Sequence, residues 1–229
     1  MFVALAVTVV VWFAVAPHLA AVGTWPTVVI VSAGVLPGTL LLVFLALPLE
    51  RFPWFVHLGV ALGLGLVAFG LSQAGWPLAE NFAKLWAGVF AGWAFLYLFY
   101  DVSLIVVVAA IIPFVDAYSV FAPGAPTHEI VNHHISIYND VAVVFVGPHG
   151  ASAALGPPDI LFYALFLGAA HRFNLRPGWT WLATTGLYAI TLPITVAANL
   201  NGLPALPFLS LGFLGANADL LWKVVRKRA

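Results

Sequence analysis

Two carboxylates stand where carboxylates are costly. Asp116 lies inside the apolar run VSLIVVVAAIIPFVDAYSVF, and Asp159 opens the run DILFYALFLGAA. An ionisable side chain within a membrane-length apolar segment costs on the order of 3 kcal/mol, which makes it a functional candidate by default. Pairing with a cation would be the ordinary structural explanation, but no basic residue falls in the same predicted layer as either aspartate. Two carboxyls close together in a low dielectric resist double ionisation and share a proton. The charged member can then deprotonate a trapped water while the protonated one polarises a carbonyl. Apparent pKa values would belong to the pair. That is hydrolytic chemistry of the aspartic type, and it needs no cofactor and no metal.

The other acidic residues suit simpler roles. Glu50 and Asp101 fall at one set of predicted membrane boundaries and Glu80 at the other, all as solvated groups. Asp219 sits near a basic tail as a local ion-pair partner, and Glu129 and Asp140 belong to a polar connection.

Membrane helices must position the pair. Of 229 residues, 63% are hydrophobic and 7% charged, against roughly a quarter charged in soluble domains. The mean hydropathy is +1.08. Apolar stretches of about twenty residues, the length that crosses a bilayer, follow one another with short breaks. They predict about eight spans, near 2–22, 27–48, 54–73, 81–100, 102–121, 157–172, 179–199 and 204–222. The fold class is therefore an all-α polytopic membrane protein. The N-terminus lacks a basic n-region, so it reads as a first span and not as a cleaved signal. Pro26, Pro53, Pro77 and Pro204 stand near helix starts, where a missing N–H costs little.

Lys/Arg asymmetry sets the orientation. Arg51, Arg172, Arg176 and the tail residues Lys223, Arg226, Lys227 and Arg228 fall on one side, with Lys84 alone on the other. Both termini are thus expected in the cytoplasm, with connection 122–156 outside. Asp116 and Asp159 then lie at similar depth on consecutive spans beneath that connection. Its second part, DVAVVFVGPHG, is β-branched and aromatic, bounded by Gly-Pro, and predicts an extended strand. The zero net charge offers nothing to nucleic acid, and the absence of cysteine removes thiol chemistry. Trp25, Trp76, Trp179 and Trp222 are expected to anchor at the interfaces. The glycines of LGLGLVAFG at 62–70 are expected to allow close helix packing.

These residues carry a family resemblance. LGPPDILFYALFLGAAHRF around Asp159 resembles the GxGD helix of the presenilin and signal peptide peptidase family. VDAYSVFAP around Asp116 resembles the other aspartate-bearing helix, particularly of archaeal relatives, and LPALP at 203–207 is similar to the Pro-Ala-Leu motif. The three motifs occur in family order and cover the C-terminal half, from about Pro113. The resemblance implies a prokaryotic intramembrane aspartyl endopeptidase of presenilin-like fold, resident in the cell membrane, with Asp116 and Asp159 catalytic. It implies that Gly156, Pro204, Ala205 and Leu206 contact substrate, and that residues 102–229 form the catalytic core. Residues 1–101 would be scaffold and substrate access. The expected substrates are transmembrane peptides of signal-peptide-like or type II orientation. A cleaved helix must unwind, and the strand-like segment with Val143, Val144 and Phe145 could pair with its exposed backbone by β-augmentation.

This sequence departs from the family pattern at three points. Val115 replaces the usual tyrosine, Pro157-Pro158 fills the interior of GxGD, and about eight spans stand where the family has nine. These departures keep open a catalytically weak or inactive relative that acts as a membrane binding or chaperone-like protein. Two further readings are a metal-dependent protease built on loop residues His128, Glu129, His133, His134 and His149, and a proton-coupled transporter. His128 and His133 are five apart, about 140° off a common helical face, where HExxH uses four.

Overall fold

The computed structural model describes residues 1–122, 124, 138, 140–150, 152–200 and 203–226. Helices dominate. In chain order they are α1 (Phe2–Val15), α2 (Thr24–Leu45), α3 (Trp54–Gln73), α4 (Pro77–Leu96), α5 (Val102–Phe121), α6 (Pro157–Arg172), α7 (Pro177–Ala197) and α8 (Leu206–Arg226). Each falls on one of the predicted apolar segments. Among the described residues, α2, α3, α5 and α7 are long and apolar enough to cross a membrane by length and composition. The expected count of about eight such helices is therefore met by four. Helix α6 has only 16 residues, α1 is also short, and polar residues such as Glu80 and Lys84 dilute α4.

Local chemistry sets several boundaries. Pro77, Pro157 and Pro177 sit in the first turns of α4, α6 and α7, where an N–H would be unpaired anyway. A short turn through Tyr100 and Asp101 separates α4 from α5. Asp101 ends it by accepting the Ser103 backbone N–H at 2.7 Å, so this residue is a helix cap where solvation alone was expected. Helix α2 contains a π-helical stretch, Ile30–Val35.

Connection 122–156 contains the expected strand. β1 (Val143–Val146) pairs antiparallel with β2 (Ser152–Leu155), with Val143 opposite Leu155 and Val146 opposite Ser152. His149 and Gly150, both at positive φ, reverse the chain between them.

Helix α6 forms the centre. From Tyr163 to Ala170 every residue is buried, and α4, α7 and α8 pack around it. Phe166 stacks on Phe213 of α8 with centroids 4.9 Å apart, and the Tyr163 hydroxyl meets Thr185 Oγ1 of α7 at 2.9 Å. Glycines permit these close approaches, but not the predicted ones. A Cβ at Gly92 of α4 would strike the Leu161 carbonyl and lie 2.9 Å from Ala164 Cβ, and one at Gly212 of α8 would lie 2.7 Å from Thr184 Cα. By contrast, Gly63, Gly65 and Gly70 have open space where a Cβ would go. Their helix, α3, is largely peripheral.

The exterior is apolar. Phe114, Leu66 and Phe69 are among many large hydrophobic side chains that face outward, as a lipid-facing surface requires and a water-facing one does not. Trp25, Trp76, Trp179 and Trp222 are all exposed, in keeping with anchoring, while Trp93 is buried in the core.

Candidate active site

Asp159 is held by its own helix start. Gly156 is the N-cap of α6, at φ −65° and ψ 155°. Its N–H donates to Asp159 Oδ2 at 3.0 Å while the Asp159 N–H returns to the Gly156 carbonyl at 3.1 Å. The carboxylate supplies the returning half of a capping box, with aspartate as the third helical residue and the glycine carbonyl in place of a capping side chain. Pro157 and Pro158 occupy the two intervening positions, where no backbone donor is required. The departure from GxGD is thus compatible with the helix start, and Gly156 adopts a backbone angle open to other residues.

Asp116 is held by a different helix. The Leu206 N–H donates to Asp116 Oδ2 at 2.9 Å, and the Ala205 N–H also approaches it. Asp116 therefore caps α8 from across the bundle, with the carboxylate at the positive end of the helix dipole. Proline at 204 leaves Ala205 and Leu206 as the first available N–H donors of the motif. Within α5, Pro113 deprives the Ala109 carbonyl of its usual donor one turn before Asp116. Helix α5 leans mainly on α8 and touches α6 only slightly. It is α8 that joins the two aspartate helices.

Asp116 and Asp159 come within electrostatic reach of each other. Two tyrosines that the sequence reading did not single out complete the surroundings. The Tyr138 hydroxyl lies 3.8 Å from where a Cβ on Gly156 would stand, and Asp159 Oδ2 lies 3.5 Å from the same point. Burial pushes the Tyr138 phenol up to about 12, and the charges of Asp159 and then Asp116 add to the effect. It is a neutral hydroxyl at ordinary pH. Tyr188 of α7 is fully buried beside Asp159, yet its hydroxyl makes no hydrogen bond of ordinary geometry. Only the fold could reveal either residue, since neither lies near Asp116 or Asp159 in sequence.

The structure brings Gly156, Ala205 and Leu206 to the two aspartates, with Pro204 buried next to them. Val143, Val144 and Phe145 have another place. Val143 and Phe145 are core residues, and the outer edge of β1 is already satisfied. The Asn81 side chain of α4 donates to the Val144 carbonyl at 2.8 Å and accepts the Val144 N–H at 2.7 Å. Trp12 Nε1 donates to the Val146 carbonyl at 2.8 Å. A substrate strand on that side would have to displace these side chains, so the expectation of direct pairing at Val143–Phe145 is corrected. The edge left to consider belongs to β2, which runs directly into Gly156 and Asp159.

Two acidic residues are also corrected. Glu50 is buried and paired with His171, Nδ1 to Oε2 at 3.1 Å, where a solvated group was expected. Asp219 pairs with Arg176, the N-cap of α7, both contacts at 2.8 Å, where a partner in the basic tail was expected. Among the described residues no group of three or more metal-capable side chains is gathered; His128, Glu129, His133 and His134 lie outside them, and His149 is an exposed turn residue. No family model, curated protein or solved structure matches the chain.

Proposed function

We propose that this protein is an intramembrane aspartyl endopeptidase of presenilin-like arrangement, with Asp116 and Asp159 as its catalytic dyad. The observation that carries the reading is that Asp116 and Asp159 face each other electrostatically, with Asp116 bonded to the Pro-Ala-Leu segment. Capping does not explain why two unrelated helix starts should bring their carboxylates together.

In this reading all eight helices lie in the bilayer and both termini face the cytoplasm. A trapped water between the carboxyls loses its proton to the charged aspartate while the protonated one polarises the scissile carbonyl. The resulting tetrahedral diol collapses as a proton passes to the leaving amine. The Leu206 N–H fixes the orientation of Asp116 throughout, and the Gly156 N–H does the same for Asp159. Substrate is a transmembrane segment, signal-peptide-like or type II, whose unwound backbone pairs with the β2 edge leading to Asp159. The test is cleavage of a model type II membrane peptide by purified protein. Asp159→Asn and a transition-state-like aspartyl inhibitor should each abolish it. Cleavage that persists in the variant would sink the proposal.

A second reading has an observation of its own. Asp116 caps the start of α8 and Asp159 accepts the Gly156 N–H at the start of α6, structural roles needing no catalysis. A non-proteolytic membrane binding protein would keep these two backbone bonds, and absence of cleavage by the wild type across several membrane peptides favours it.

A further inference from the structure

Far from the aspartates, the C-terminal end of α6 and the turn after α2 enclose a second polar site. A cavity of about 550 Å³ is lined by Glu50, Arg51, Tyr97, His171, Arg172 and Asn174, among others. Its size is in the range of ligand pockets, roughly 300–1,000 Å³. We propose that this cavity recognises the phosphate of an anionic lipid headgroup, with Arg51 and Arg172 as its cations.

The charges are arranged for an anion. Glu50 is the acidic residue of the wall, and His171 already engages it. Among the described residues neither Arg51 nor Arg172 makes an ion pair, whereas the nearby Arg176 is fully occupied by Asp219. Arg172 is also prepositioned. Its guanidinium carbon lies 4.1 Å from the centre of the Tyr97 ring, and the Tyr97 hydroxyl is tied to the Phe52 carbonyl at 2.7 Å. A planar guanidinium fixed against an aromatic face has little freedom left to lose on meeting a phosphate. One of its nitrogens, Nη1, is buried without an acceptor. Behind the wall, buried His57 contacts the Glu50 carbonyl at 3.1 Å, so the acidic residue is held from two sides.

Location selects the source of the phosphate. Arg51 is followed by exposed Phe52 and Trp54, and Arg172 by exposed Trp179 at the start of α7. Aromatic residues of this kind mark the headgroup level of a bilayer. Basic pockets between membrane helices on the cytoplasmic side are suited to anionic headgroups, and the Lys/Arg distribution assigns this end to the cytoplasm. The proposal needs the chain to lie in a bilayer and does not need the dyad to cleave anything.

The experiment is lipid retention by the full-length protein in detergent, measured by native mass spectrometry with phosphatidylglycerol or phosphatidylcholine and paired with thermal unfolding. Phosphatidylglycerol should be retained and raise the unfolding midpoint; phosphatidylcholine carries the same phosphodiester but adds a quaternary ammonium that Arg51 and Arg172 repel, so it should do neither. Arg51 is exposed, so Arg51→Gln should fold normally and retain phosphatidylglycerol about tenfold less well, with Arg51→Gln/Arg172→Gln weaker still. Neutralising the exposed tail cations with Lys223→Gln/Arg226→Gln should leave retention unchanged. Equal retention of the two lipids, or loss of retention in the tail variant with none in Arg51→Gln, would overturn the assignment. Stabilisation by inorganic phosphate equal to that by the lipid would identify a soluble phosphate site and overturn the lipid source.

Discussion

The backbone N–H of Leu206 donates to Oδ2 of Asp116 at 2.9 Å, across 90 residues of sequence. This bond joins the Pro-Ala-Leu segment to one carboxylate, while Asp159 is held by a bond within its own helix start, from Gly156. Each aspartate thus has a fixed orientation, and each orientation comes from the start of a different helix.

Capping and catalysis can be separated at Asp116. Asparagine keeps an oxygen for the Leu206 N–H, so Asp116→Asn should hold its stability within about 1 kcal/mol. Asp116→Leu removes the acceptor and should lose roughly 0.5–2 kcal/mol. Under the protease proposal neither variant cleaves. Thermal unfolding measured beside peptide cleavage checks both halves, and an active Asp116→Leu would count decisively against the dyad.

Glycine positions should divide sharply by location. Gly92→Ala drives a methyl group into the Leu161 carbonyl and Ala164 of α6, and should cost about 1–3 kcal/mol by overpacking. Because α6 carries Asp159, under the protease proposal cleavage should fall with it. Gly63→Ala meets open space and should be neutral or stabilising by up to about 1 kcal/mol. Unfolding midpoints of the two variants, measured in one detergent, give the comparison directly.

Asn81 acts as a substitute strand for β1, both donating to and accepting from Val144. Asn81→Ala leaves both backbone groups without that partner and should destabilise by roughly 2 kcal/mol. Asn81→Asp retains the acceptor but sets a buried carboxylate oxygen against the Val144 carbonyl, so its loss should be at least as large. Amide hydrogen exchange at Val144 should rise in both, and unchanged protection would show that the hairpin does not depend on this contact.

Tyr138 predicts an alkaline signature. Its pKa is raised from 10.0 to about 12, so the folded protein keeps a proton that the unfolded chain has lost. The stability linked to this group is fully present below the unfolded pKa. It is lost as pH rises from 10.0 to about 12, by roughly 2–3 kcal/mol. Tyr138→Phe should lose less stability across that interval and match the wild type's pH dependence below it. Unfolding followed at a series of alkaline pH values tests this, and parallel curves for the two proteins would refute it.

The sequence by itself determined the solvent and the rare charges. Apolar segments of bilayer length are a property of the chain, and each of them forms a helix. Asp116 and Asp159 stood out because a carboxylate in such a segment is expensive wherever the helix goes. The strand in DVAVVFVG was legible for a similar reason, since β-branched residues bounded by Gly-Pro favour extended backbone locally. Tertiary structure decided everything that depends on which surfaces meet. Glu50 at a helix boundary looks like any solvated acid until His171, far along the chain, closes over it. Gly63 and Gly92 have the same local chemistry, and only the neighbour across the interface makes one of them indispensable. The edge of β1 appeared open because sequence cannot say that Asn81 will occupy it. Tyr138 and Tyr188 reach Asp159 from a connection and from another helix, and no spacing within the sequence encodes that meeting.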